Sequence, residues 1–186
     1  MVTVNKLIVN PARRVEVPQR LDEATLATAL ARRLAPKEAL PAKGFGFPRP
    51  VVWTDGGDDL LVLLPSLRVA LRDRLIVVSL DVACDQTGTQ SLVMPFSVGG
   101  PRDPAGLVAA TEELPRGHGL LVGRWGRIVQ EGVWGALLQV VDDYAKRLRK
   151  LPFGFTAGPG VLSLRAAKTD ELAVLRSAVR AARGEH

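Results

Sequence analysis

The 186-residue sequence predicts an α+β fold: a mainly antiparallel, hairpin-rich sheet with about four helices packed on it. Three observations carry that prediction. Strand-like runs arrive consecutively in the middle of the chain, separated by short turn sequences. Helical periodicity is confined to residues 22–35, 104–113, 132–150 and 170–183. The regular alternation of strand and helix that builds a parallel sheet is missing.

Val2 to Val9 reads as a first strand, and a second extended piece follows around Val15 and Val17, each punctuated by a proline (Pro11, Pro18). Asp22 then caps a helix in which Leu26, Leu30 and Leu34 recur every four residues. Arg32 and Arg33 fall in its last turn, where cations complement the helix dipole, and Pro36 ends it. Residues 36–50 read as loop and contain Gly44-Phe45-Gly46-Phe47.

Asp55-Gly56-Gly57-Asp58-Asp59 between two apolar runs is a hairpin signal, because glycine accepts the positive φ a tight hairpin turn demands. The clearest strand follows: Ile76, Val78, Leu80, Val82 and Cys84 alternate with more polar neighbours. A turn at residues 85–90 leads into a return strand that points Leu92, Met94, Phe96 and Val98 to one face. Pro95 lacks a ladder donor, which places that strand at a sheet edge or at a bulge. Asp103-Pro104 starts a short helix, with proline at the first helical position. Residues 119–130, apolar and interrupted by glycine, read as strand or hairpin. The strongest helical pattern, at 132–150, aligns Val133, Leu137, Val141, Tyr144 and Leu148 and ends in a basic cluster. A Gly/Pro loop at 152–160, a strand at 161–165 and a final helix from Thr169 complete the chain. The whole, residues 1–186, is expected to form a single domain.

With 47% hydrophobic residues the chain has enough apolar material for a core without disulfides. One cysteine, Cys84, excludes an intrachain disulfide and a cysteine-based zinc site. No apolar run approaches the roughly 18 residues of a membrane helix, so no membrane partner is expected. The N-terminus lacks a signal-peptide pattern, and the expectation is a cytoplasmic protein. The formal charge is +6, unevenly spread: nine basic and four acidic residues in 1–50, three and six in 51–100. That balance favours a polyanionic partner.

Catalytic signatures fare poorly. Cys84 with His118 is the only thiol–imidazole pair with an internal histidine, yet Cys84 lies on an apolar strand face beside Asp85, which disfavours the thiolate. Asp55, Asp58 and Asp59 lack the distal glutamate of a calcium loop and serve the turn instead. The glycines at 117, 119, 123 and 126 do not follow a strand and open a helix as a dinucleotide loop requires. Glu112–Glu113 and Asp142–Asp143 are adjacent on helices, about 100° apart, and read as solvated surface. No catalytic residue, metal site or cofactor is expected.

Two interaction surfaces stand out. Arg124-Trp125 and Arg127, joined by Arg147, Arg149, Lys150 and a helical stripe of Arg176, Arg180 and Arg183, form a candidate nucleic-acid surface in which arginine grips phosphate and indole stacks on a base. Phe45, Phe47, Phe153 and Phe155, in two Phe-Gly-Phe loops, are candidate protein-docking residues. The leading expectation is therefore a non-enzymatic binding or assembly protein, self-associating or bound to a protein partner. The alternatives are a nucleic-acid-binding protein and an enzyme whose dispersed carboxylates meet only in the fold.

Overall fold

The computed structural model describes residues 20–35, 50–98, 114–147 and 153–166, together with Arg180. Two antiparallel sheets and two long helical rods share one core. The first described elements are strand β1 (Arg20–Asp22) and helix α1 (Glu23–Leu34). The Asp22 carboxylate accepts the Thr25 N–H at 2.7 Å, closing one of the orphan donors of the first turn. That bond lowers the pKa of Asp22 from its ordinary value. Leu26, Leu30 and Leu34 are buried, as their spacing predicts. Ala35, next to Pro36, is extended, the conformation a following proline imposes.

Four strands then run as a meander: β2 (Val51–Asp55), β3 (Asp58–Arg72), β4 (Leu75–Cys84) and β5 (Gly88–Ser97), in that spatial order. Gly56 and Gly57 both take positive φ, 58° and 90°, which matches the twist of the flanking strands. The inner faces carry Leu60, Val62 and Leu64, then Ile76, Val78, Leu80 and Val82, then Leu92, Met94, Phe96 and Val98. β3 changes parity midway. Its inward residues are even-numbered to Leu64 and odd-numbered from Leu67. Between the pairs Leu63↔Asp81 and Arg68↔Ser79, four residues of β3 stand opposite Leu80 alone. Ser66 repairs the ladder there: its hydroxyl accepts from the Asp81 N–H and donates to the Leu63 carbonyl, each at 2.7 Å. The bulge lets one long strand serve two parts of the core.

β5 is an edge strand, as Pro95 suggests. Val93 exchanges two backbone bonds with Arg116 on its open side, so residues of that parity turn their backbone groups outward. Pro95 shares that parity, and the N–H it lacks would have had no partner in β4.

The second sheet holds three strands in the order β1-β7-β6, from β6 (Phe153–Gly158) and β7 (Val161–Ala166). Arg74, in the β3–β4 turn, links the sheets: its N–H donates to the Ala157 carbonyl at 3.0 Å, and Gly160 N–H donates to Leu71 at 2.9 Å. Arg74 holds φ 55°, costly for a side-chain-bearing residue. Arg74→Gly should therefore raise stability by about 0.5–1 kcal/mol, the strain relieved less the extra flexibility of unfolded glycine. A lower melting temperature for that variant would contradict this account.

The long helix departs from expectation. Residues 119–130 are helix, not strand: α2 (Gly119–Leu121), a π-helical turn (Val122–Gly126) and α3 (Arg127–Arg147) run on with right-handed helical dihedrals at the junctions. Leu121, Trp125, Val129, Val133, Leu137, Val141 and Ala145 are all buried at four-residue intervals. That repeat outweighs the glycines that suggested a strand. Gly132 has its own use, because a Cβ there would sit 2.9 Å from the Trp53 ring. Trp134 stacks on Phe96 from one sheet at 5.6 Å and meets Phe155 from the other at 6.1 Å.

The described residues thus hold two helices rather than about four. The segments expected as helices at 104–113 and 170–183 lie outside them, apart from Arg180, which is helical. The strands expected at 2–9 and near Val15 lie outside them too. Residues 153–158, read from the sequence as loop, pair with β7 as a strand. Among the described residues no helix is long and apolar enough to cross a membrane.

Candidate functional site: the groove between the helices

The sequence-predicted basic centre is a structural joint. Arg124 projects from the π-helical turn onto the β2–β3 hairpin. Its Nη1 donates to Asp55 Oδ2 at 2.7 Å, its Nε to Asp58 Oδ2 at 3.0 Å, and its Nη2 to the Asp55 carbonyl at 2.6 Å. These carboxylates raise the guanidinium pKa further above its usual value. The same guanidinium lies 4.6 Å from the Trp125 ring centroid. Trp125 itself is 2% exposed, so its faces do not offer a stacking platform. Asp55 and Asp58, expected from the sequence to serve the turn, also anchor the hairpin to the helix.

Arg127 is exposed at the start of α3, and Arg180 is exposed and helical. Arg176 and Arg183 lie outside the described residues, as do Phe45 and Phe47. Phe153 opens β6, while Phe155 is fully buried. Alternation fits this: Phe155 and Ala157 are buried while Thr156 between them is exposed, so Phe155 stands on the core face of the strand. Phe155 is thus corrected from a docking residue to a core residue.

A small cavity of about 160 Å³ at the hairpin tip brings Cys84, Asp58, Asp59 and Asp85 near Arg124. Cys84 is half-buried, its sulfur 3.2 Å from Thr87 Oγ1. Among the described residues no cluster of histidine, cysteine or carboxylate side chains is arranged to hold a metal ion.

A more spacious concavity, about 560 Å³, opens between α1 and α3. Ala24, Thr25, Thr28, Ala29 and Arg32 form one wall, since spacings of one, three and four place them on adjoining positions of one helical face. Val140, Tyr144 and Arg147 form the other, again at helical spacing. Arg33 pairs with Asp143 across the groove and ties the helices together. Asp142 beside it is buried and pairs with Lys146 at 2.9 Å, so this aspartate is not the solvated surface group expected from sequence. Arg147 lies over the Tyr144 ring at 5.2 Å. Among the described residues neither Arg32 nor Arg147 has a carboxylate partner. Three guanidinium groups against Asp143 leave the groove with a net charge of +2.

The sequence places Arg32 and Arg33 at one helix end and Arg147 in a basic cluster at another, grouped with Arg124 and Arg127 and not with Arg32. Arg32, Arg33 and Arg147 come together only because the two helices pack side by side. Comparison with known protein families, with curated proteins and with solved structures finds no match.

Proposed function

We propose that this chain is a non-enzymatic binding protein whose partner is anionic and is held in the groove between α1 and α3. The observation that carries this reading is the pair Arg32 and Arg147, two guanidinium groups without carboxylate partners among the described residues, on opposite walls of a concavity of about 560 Å³. The volume falls within the ordinary range of binding clefts. Arginine suits the role, because its planar fork matches carboxylate and phosphate oxygens in pairs. Elsewhere among the described residues, the two groups with displaced proton affinity, Asp22 and Arg124, owe the shift to a helix cap and a hairpin clamp. Neither shift points to acid–base chemistry.

Self-association draws less support. Phe155 is occupied in the core, and on β5 the Arg116 bridge and Pro95 obstruct the edge another strand would need. Base stacking at Trp125 is likewise obstructed by burial. The binding reading is tested by titrating the protein, at low and at physiological salt, with polyglutamate and with a mixed-sequence DNA oligonucleotide. Saturable binding of at least one, weakened by salt and by at least about tenfold in an Arg32→Glu/Arg147→Glu double variant, is the expected result. Binding of neither, or binding indifferent to those two arginines, would sink it.

A further inference from the structure

Resting on that reading, we infer that the groove receives an acidic amphipathic helix of a different protein, with its apolar stripe on Ala24 and Ala29 and its flanking carboxylates on Arg32 and Arg147. The floor and the rims of the groove differ in chemistry. Small residues, Ala24, Thr28 and Ala29, pave the α1 side, so an incoming helix can approach closely. Arg32 and Arg147, without carboxylate partners among the described residues, stand one on each wall. An occupant matched to both needs an apolar strip between two acidic borders, which is the pattern of a helix laid into a groove. The α1 wall from Ala24 to Arg33 runs roughly 13 Å at the helical rise, enough for more than two turns of a partner helix.

Other occupants fit less well. A second copy of this chain carries net charge +6, so it brings no general attraction to a groove of net +2. A single-stranded nucleic acid needs an open aromatic face on which to stack bases. In the groove Tyr144 has Arg147 over its ring, and the sugar–phosphate chain has no use for an alanine floor. Carboxylates on a helix satisfy the guanidinium forks through charge-assisted bonds while its apolar stripe covers the floor.

The test uses the full chain and three labelled probes: a synthetic peptide with leucine and alanine at helical spacing between flanking glutamates, a scrambled peptide of the same composition, and a mixed-sequence DNA oligonucleotide. The amphipathic peptide should bind saturably and gain helical circular dichroism on binding. The scrambled peptide should bind at least about tenfold more weakly. Arg32→Glu/Arg147→Glu should weaken the amphipathic peptide by a similar factor, and Thr28→Trp, which fills an exposed part of the groove, should weaken it without altering charge. Arg127→Glu, an exposed arginine outside the groove, should have little effect. Unchanged melting temperatures would show that the groove variants remain folded. If scrambled and amphipathic peptides bind alike, or DNA binds through Arg32 and Arg147 while the peptide does not, the helix proposal fails and the anion-binding reading stands. If no probe binds, or the double variant changes nothing, both fail.

Discussion

Phe155→Ala is expected to cost about 3–5 kcal/mol of folding free energy, the range for truncating a buried phenylalanine. The ring is fully buried on β6 and tilts against Trp134, which in turn stacks on Phe96 of β5. Removing it opens a void where the three-stranded sheet, the four-stranded sheet and α3 meet. The surrounding backbone is tied by the Arg74–Ala157 and Gly160–Leu71 bonds, so it has little freedom to collapse into the space. Urea denaturation of the purified variant reads the loss directly, and Phe155→Leu should recover part of it. A docking residue would behave in the opposite way. Its truncation would leave the unfolding midpoint near wild type and weaken an assembly instead.

The features legible in the sequence are those whose signal is local. The Asp55-Gly56-Gly57-Asp58 hairpin, the Asp22 cap and the alternation at 76–84 and 92–98 each depend on a backbone conformation or a face that a few residues determine. Pro95 also told its position, because a missing donor is tolerable only where no strand follows. Features that depend on a distant partner stayed hidden. Arg20–Asp22 is too short to look like a strand and becomes one by pairing with β7. Phe153–Gly158 contains two glycines, and only the ladder to β7 makes it extended. In residues 119–130 the glycines competed with a four-residue apolar repeat, and packing of Trp125 decided for helix. The parity change in β3 is readable only once Ser66 is seen replacing a ladder acceptor.

The candidate site shows the same division. Each wall of the groove is written in a single helical face, Thr25-Thr28-Arg32 on α1 and Val140-Tyr144-Arg147 on α3. Their juxtaposition is not, because more than a hundred residues separate them along the chain. Arg124 misled for a related reason. An arginine beside a tryptophan has the composition of a nucleic-acid contact, but its charge is consumed by Asp55 and Asp58, which the hairpin carries to it. Position in the fold, not residue type, separates a free guanidinium from a clamped one.

Trp125→Ala carries the other large expected effect, again about 3–5 kcal/mol, since the indole is buried in the wide π-helical turn and few substitutions remove more apolar area. The loss has a second component. Without the ring, Arg124 loses the surface it lies against, and its clamp on the hairpin is left standing in solvent. Trp125→Ala and Arg124→Ala should therefore be non-additive, the double variant falling short of the sum of the two losses. The same pair separates structure from binding. Trp125 lies roughly 22 Å along the helix from Val140, so below its unfolding temperature the Trp125→Ala protein should hold an acidic partner in the groove as wild type does. Ligand affinity lost in a variant still folded by circular dichroism would overturn this assignment, and return Trp125 to the role of a contact surface.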